Sequence, residues 1–109
     1  MPDRPLTIST HVLDTAAGTP AAGVPVTLYR QDGADEEAVG QGTTDDDGRI
    51  ARLLDGELIT GDYRIAFDIA GRGELFTSAE FRFRITDTSR HLHIPLLLAP
   101  YSMTTYRGS

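Results

Sequence analysis

The 109 residues, 39% of them hydrophobic, suit a single domain over residues 1–109 built on one core and leave no length for a second. Cysteine is absent, which excludes disulfides, thiolate nucleophiles and Cys-ligated zinc. A formal charge of −6, with carboxylates gathered in DGADEE and TTDDDG, repels a phosphate backbone, so nucleic acid is not an expected partner. No leader pattern and no apolar run of membrane-spanning length stands out, and the expectation is a cytoplasmic protein with no membrane partner.

Short runs of alternating apolar residues, separated by turn signals and without a sustained helical period, predict an all-β chain. In LTISTHVLD, period two puts Leu6, Ile8, Thr10 and Val12 on one face and Thr7, Ser9, His11 and Leu13 on the other. TAAGTPAAG reads as the connection that follows. VPVTLYR turns Val24, Val26 and Leu28 inward, and EAVGQGTT is a weaker strand broken by glycine. DDDGRIARLL turns at Asp47-Gly48, a dipeptide that tolerates positive φ, which leaves Arg49 at the turn exit. Three firmer strands follow: GDYRIAFDIA with Tyr63, Ile65, Phe67 and Ile69 on one face, AEFRFRITD with Phe81, Phe83 and Ile85, and RHLHIPLLL with Leu92, Ile94 and Leu96. Seven or eight strands at this spacing predict a two-sheet sandwich with Greek-key or related connections.

The same period sends His11, His91 and His93, all the histidines of the chain, to the faces opposite the core. Arg49 and Arg107 add guanidinium forks suited to a planar, electron-rich ligand. Taken alone, an outward histidine is most often a solvated surface residue, and periodicity does not make an enzyme. A zinc site is conceivable, because HLH on a strand sets two imidazoles about 7 Å apart on one side, with His11 as a third ligand. The pattern is short, and no carboxylate in the same strand orients the rings, so no metal is expected. A serine-hydrolase triad is set aside, because there is no Gly-x-Ser-x-Gly elbow and Ser9, Ser78, Ser89 and Ser102 stand in no distinguishing context.

Four segments in order, STHVLDTAAGTPAAGVPVTLYR, TTDDDGRI, HLHIPLLLAP and TTYRGS, resemble the signature segments of the 5-hydroxyisourate hydrolases, the transthyretin-related enzymes of urate breakdown. The tetrapeptide Tyr-Arg-Gly-Ser, which separates these hydrolases from transthyretin, is the most specific part. The resemblance implies an eight-stranded transthyretin-like (prealbumin-like) sandwich, assembled as a homotetramer, a dimer of dimers with its sites between subunits. It implies His11, Arg49, His93 and Ser109 as catalytic residues, and His11, Arg49, Tyr106 and Arg107 as substrate-binding ones, with Arg107 fixing the tail rather than reacting. His91 is left out of the catalytic set. The segment DIAGRGELFTSAEF is shorter than usual and carries Leu75, Phe76 and Thr77 in place of the common Phe-Phe-Pro, which puts in doubt the short helix often found there. Met103 and Ala99 also depart from the family pattern, with consequences for subunit packing rather than for a site residue.

The implied reaction opens the six-membered ring of 5-hydroxyisourate to 2-oxo-4-hydroxy-4-carboxy-5-ureidoimidazoline without a cofactor. An imidazole takes the proton of the attacking water and returns one to the departing ring nitrogen, while Arg49 offsets the oxyanion. Which histidine is the base stays open, with His11 and His93 read as a coupled pair. Two other readings share the sandwich: a non-enzymatic carrier of an aromatic small molecule, and a prealbumin-like binding module. Neither accounts for His93 together with the YRGS ending.

Overall fold

A computed structural model describes residues 6–108. The chain forms β1 (Ile8–Asp14), β2 (Thr19–Pro20), β3 (Pro25–Asp32), β4 (Asp35–Thr43), β5 (Arg49–Ile50), β6 (Gly61–Asp68), β7 (Ser78–Ile85), β8 (Leu92–Ala99) and β9 (Ser102–Thr105). One sheet runs β2-β1-β8-β9, with β5 also paired to β1, and the other runs β4-β3-β6-β7. The architecture is the all-β, two-sheet sandwich that alternation predicts. Among the described residues there is no helix, and residues 69–77, between β6 and β7, are turns and bends. None of the described residues forms a helix long and apolar enough to cross a membrane.

The core fills from the inward positions of both sheets. Ile8 and Val12 of β1 and Leu96 of β8 face Val26 and Leu28 of β3 and Ile65 and Phe67 of β6, all almost completely buried. Leu53 and Leu54 close one end from the segment after β5. Each such side chain contributes about 1.5–3 kcal/mol relative to staying in water, so the sandwich rests on this layer. Thr10 is the polar member of the inward row of β1, and its hydroxyl donates to the Ile94 carbonyl at 2.6 Å, which satisfies it without water.

Two elements differ from the sequence reading. β4 carries a bulge: Leu28 pairs with Gly40 and Tyr29 with Ala38, so Val39 is the extra residue and both Val39 and Gly40 turn inward. The strand expected from DDDGRIARLL shrinks to Arg49 and Ile50, because Leu53 and Leu54 leave the sheet to pack into the core. Leu6, expected on the inward face, is exposed just ahead of β1.

β1 and β8 run parallel, Ser9 opposite His93 and His11 opposite Pro95. On the other side of β1, antiparallel β5 sets Arg49 opposite His11. Beyond β8, β9 and the residues after it return antiparallel, and Gly108 forms a bridge to His93.

Candidate active site

Paired residues of neighbouring strands project to the same side of a sheet. Arg49, His11, Ser9 and His93 therefore share one face, and the burial of Ile8, Thr10, Val12, Ile94 and Leu96 between them makes it the face turned away from the core. His11 and His93 are diagonal neighbours across β1 and β8, a spacing of about 7–8 Å between Cα atoms.

A turn supports the Arg49 side. The Asp45 carboxylate accepts the backbone N–H of Asp47 and of Arg49, both at 2.9 Å, and the N–H of Gly48 donates to the Asp45 carbonyl at 2.9 Å. Gly48 sits at φ 77°, and a Cβ there would collide with the Val12 carbonyl, so only glycine closes this turn against β1. The turn reaches back to the site: His11 Nε2 lies 2.9 Å from the Asp47 carbonyl oxygen. A carbonyl only accepts, so the proton is on Nε2 and Nδ1 is the nitrogen His11 has left for chemistry.

His93 is held from two sides. Its Nδ1 lies 2.7 Å from Ser9 Oγ, and its carbonyl accepts the Gly108 N–H at 2.8 Å. A Cβ at Gly108 would fall 2.5 Å from His93 Cδ2, so the tail crosses the ring with nothing to spare. Burial, then the nearby His11, His91 and Arg49, hold the His93 imidazole below its usual pKa, because each disfavours a further positive charge. At neutral pH His93 is therefore an uncharged base.

Of the residues singled out in the sequence, the structure brings His11, Arg49 and His93 to one face. Tyr106 and Arg107 line a groove of about 320 Å³ with Phe81, Phe83, Leu92 and Ile94, at the edge between the two sheets, whose lining includes none of these three. Arg107 also acts, after the Ser89 hydrogen bonds and Arg90, in holding the Asp87 carboxyl below the usual carboxylate range. Ser109 lies outside the described residues. His91, outside the catalytic set that the resemblance implies, reaches the same hydroxyl, with its Nε2 2.7 Å from Ser9 Oγ. Ser9 is the residue that sequence reasoning missed. Its signal was its place on the His11 face, next to strand neighbours that period two cannot identify. Among the described residues no three of His, Cys, Asp and Glu are placed to hold a metal ion. The three imidazoles are turned to other partners, His11 to a carbonyl and the other two to a hydroxyl between them.

The two-sheet sandwich is of the transthyretin-like class, as its likeness to solved structures shows. Within that class, the chain belongs to the HIUase/Transthyretin family, which is matched over residues 8–108. It is 42% identical to the 5-hydroxyisourate hydrolase of Deinococcus radiodurans, covering 94% of this chain and 95% of that protein. Among solved structures it is similar to the 5-hydroxyisourate hydrolase of Klebsiella pneumoniae, at a TM-score of 0.82 and 39% identity over 94% of this chain and 99% of that one. It is also similar to sea bream transthyretin in complex with thyroxine, at a TM-score of 0.84 but only 28% identity over 93% of each chain.

Proposed function

We propose that this enzyme hydrolyses 5-hydroxyisourate, as its named relatives do, with His93 as general base, His11 as its partner and Arg49 as the oxyanion-stabilising group. The observation that carries the reading is the ladder itself, which sets Arg49 beside His11 and His11 diagonal to His93 on one outward face. The neutral His93 Nε2 takes a proton from water as the oxygen attacks a ring carbonyl. The Arg49 guanidinium offsets the charge on the tetrahedral oxygen. The ring C–N bond then breaks, the departing nitrogen receives a proton from the imidazolium, and the former carbonyl carbon becomes the carboxyl group of 2-oxo-4-hydroxy-4-carboxy-5-ureidoimidazoline, whose remaining proton ionises to water. His11, whose Nε2 is committed to the Asp47 carbonyl, presents Nδ1 as the second proton-handling nitrogen.

In this reading the site lies between subunits of a dimer of dimers. Arg49, His91 and Tyr106 are exposed in the single chain, and a second copy over this face would exclude the water that weakens such charges. Tyr106 and Arg107 then bind substrate or hold the tail from the rim.

The test is the ultraviolet decay of freshly generated 5-hydroxyisourate, with and without micromolar protein. Acceleration abolished by His93→Ala supports the reading. Decay at the spontaneous rate, with saturable binding of an aromatic ligand, would move the chain to the carrier class represented by transthyretin.

A further inference from the structure

Ser9 is 9% exposed, and its single hydroxyl meets two rings, His91 Nε2 and His93 Nδ1, each at 2.7 Å. A hydroxyl has one proton, so it cannot donate to both nitrogens. If both rings are neutral and both contacts are hydrogen bonds, at least one facing nitrogen carries a hydrogen. From this geometry we infer that Ser9 and His91 are positioning residues that fix His93 in the tautomer protonated at Nδ1, leaving Nε2 unprotonated toward substrate. The inference rests on the reading of His93 as the base.

The chain of donors then runs one way. His93 Nδ1–H donates to Ser9 Oγ, Ser9 O–H donates to His91 Nε2, and His91 carries its own proton on Nδ1. The opposite direction puts a proton on His93 Nε2 and removes the lone pair from the nitrogen that Ser9 does not hold. It also fails when the ring changes charge. Protonating His93 at Nδ1 would force the Ser9 hydroxyl to turn, whereas protonating it at Nε2 leaves every bond in the chain intact. Catalytic groups gain most from an environment that needs no rearrangement as charge develops. His91 supplies the acceptor that keeps the Ser9 proton pointing away from His93. Without that acceptor, the hydroxyl is free to donate to His93 Nδ1 and so to favour the inactive tautomer. Among the described residues, the charged or titratable groups around His93 are His11 on β1, Arg49 on β5 and His91 just before β8, all of which oppose its protonation.

The experiment is nitrogen-15 NMR of the imidazole side chains in the wild-type protein, whose shifts distinguish protonated from unprotonated ring nitrogens, alongside steady-state kinetics of Ser9 variants. Above its titration, His93 is expected in the Nδ1–H form. Ser9→Ala should lower kcat by about tenfold or more with KM within about twofold, and should turn His93 into a tautomer mixture. Ser9→Thr, which keeps the hydroxyl, should restore both readouts. A wild-type His93 protonated mainly at Nε2, while His93→Ala is inactive, overturns the roles of Ser9 and His91 and leaves the base assignment standing. Wild-type turnover in His93→Ala removes the base assignment and this inference with it. Because the tautomer is read in the unaltered protein, misfolding of a Ser9 variant would not shield the inference.

Discussion

Gly108→Ala is the smallest change that should strike the site without touching the core. Gly108 is not among the positive-φ glycines, so alanine can adopt its backbone, and what it lacks is room. The added Cβ would lie 2.5 Å from His93 Cδ2, 3.2 Å from Cγ and 3.3 Å from Cβ. Comfortable carbon contacts begin near 3.5 Å, so ring and tail must separate by about 1 Å. Either the imidazole swings off Ser9, or the tail lifts and the 2.8 Å bond from the Gly108 N–H to the His93 carbonyl is lost. A misplacement of about 1 Å at a reacting group costs roughly a hundredfold in rate. The lost backbone bond costs only about 1 kcal/mol. The expected result is kcat/KM for 5-hydroxyisourate lowered on the order of a hundredfold, with a melting temperature lowered by no more than about 8 °C. Gly73→Ala is the control, because its Cβ would meet nothing closer than 3.8 Å. Turnover of Gly108→Ala within about threefold of wild type would refute the claim that the ring's position depends on that crossing.

His11→Ala, Arg49→Ala and His93→Ala should each lower kcat/KM by on the order of a hundredfold while keeping the wild-type far-ultraviolet spectrum, and unchanged turnover in any two would refute the assignment. Asp45→Ala removes the carboxylate that accepts the Asp47 and Arg49 N–H groups, so it should raise KM and cost about 1–2 kcal/mol in denaturant unfolding; unaltered stability would mean the turn holds without it. His93 should half-titrate below pH 6.5 by NMR, because burial and then the neighbouring His11, His91 and Arg49 lower its pKa. In that window the unfolded chain binds the proton more readily, so the stability tied to neutral His93 is whole above pH 6.5 and falls as pH drops toward the depressed value. A His93 titration above pH 6.5 would contradict the arrangement.

The strand faces were legible because alternation is a local property. Ile65 and Phe67, like Ile94 and Leu96, needed only period two and burial to be placed. The bulge at Val39 was not legible, since adjacent inward residues break the alternation from which a strand is read. The brevity of β5 was hidden in the same way: RIARLL has apolar residues enough for a strand, yet Leu53 and Leu54 are drawn into the core instead. The parallel pairing of β1 with β8 joins residues more than 80 positions apart, and nothing in either segment names the other as its partner.

That pairing also limits what the sequence could say about chemistry. The outward parity of His11 and His93 follows from their own strands, and the resemblance of STHVLD, DGRI and HIPLL supplied their roles. Ser9 gains its importance only from register: one step of slip between β1 and β8 would put Ile8 or Thr10 opposite His93 and remove the hydroxyl from between the rings. Register here is set by the buried rows on the other face, Ile8 and Val12 against Ile94 and Leu96, because a slip of one residue would turn those side chains to water. The core therefore does more than hold the two sheets together. By fixing which residues of β1 and β8 stand opposite each other, it determines which hydroxyl His93 meets, and so which nitrogen of the ring is free to act. Transthyretin, at 28% identity, shares the sandwich, so the sandwich alone does not select between carrying a ligand and hydrolysing one. On the proposed roles, the selection lies in the polar row that the apolar row keeps in register.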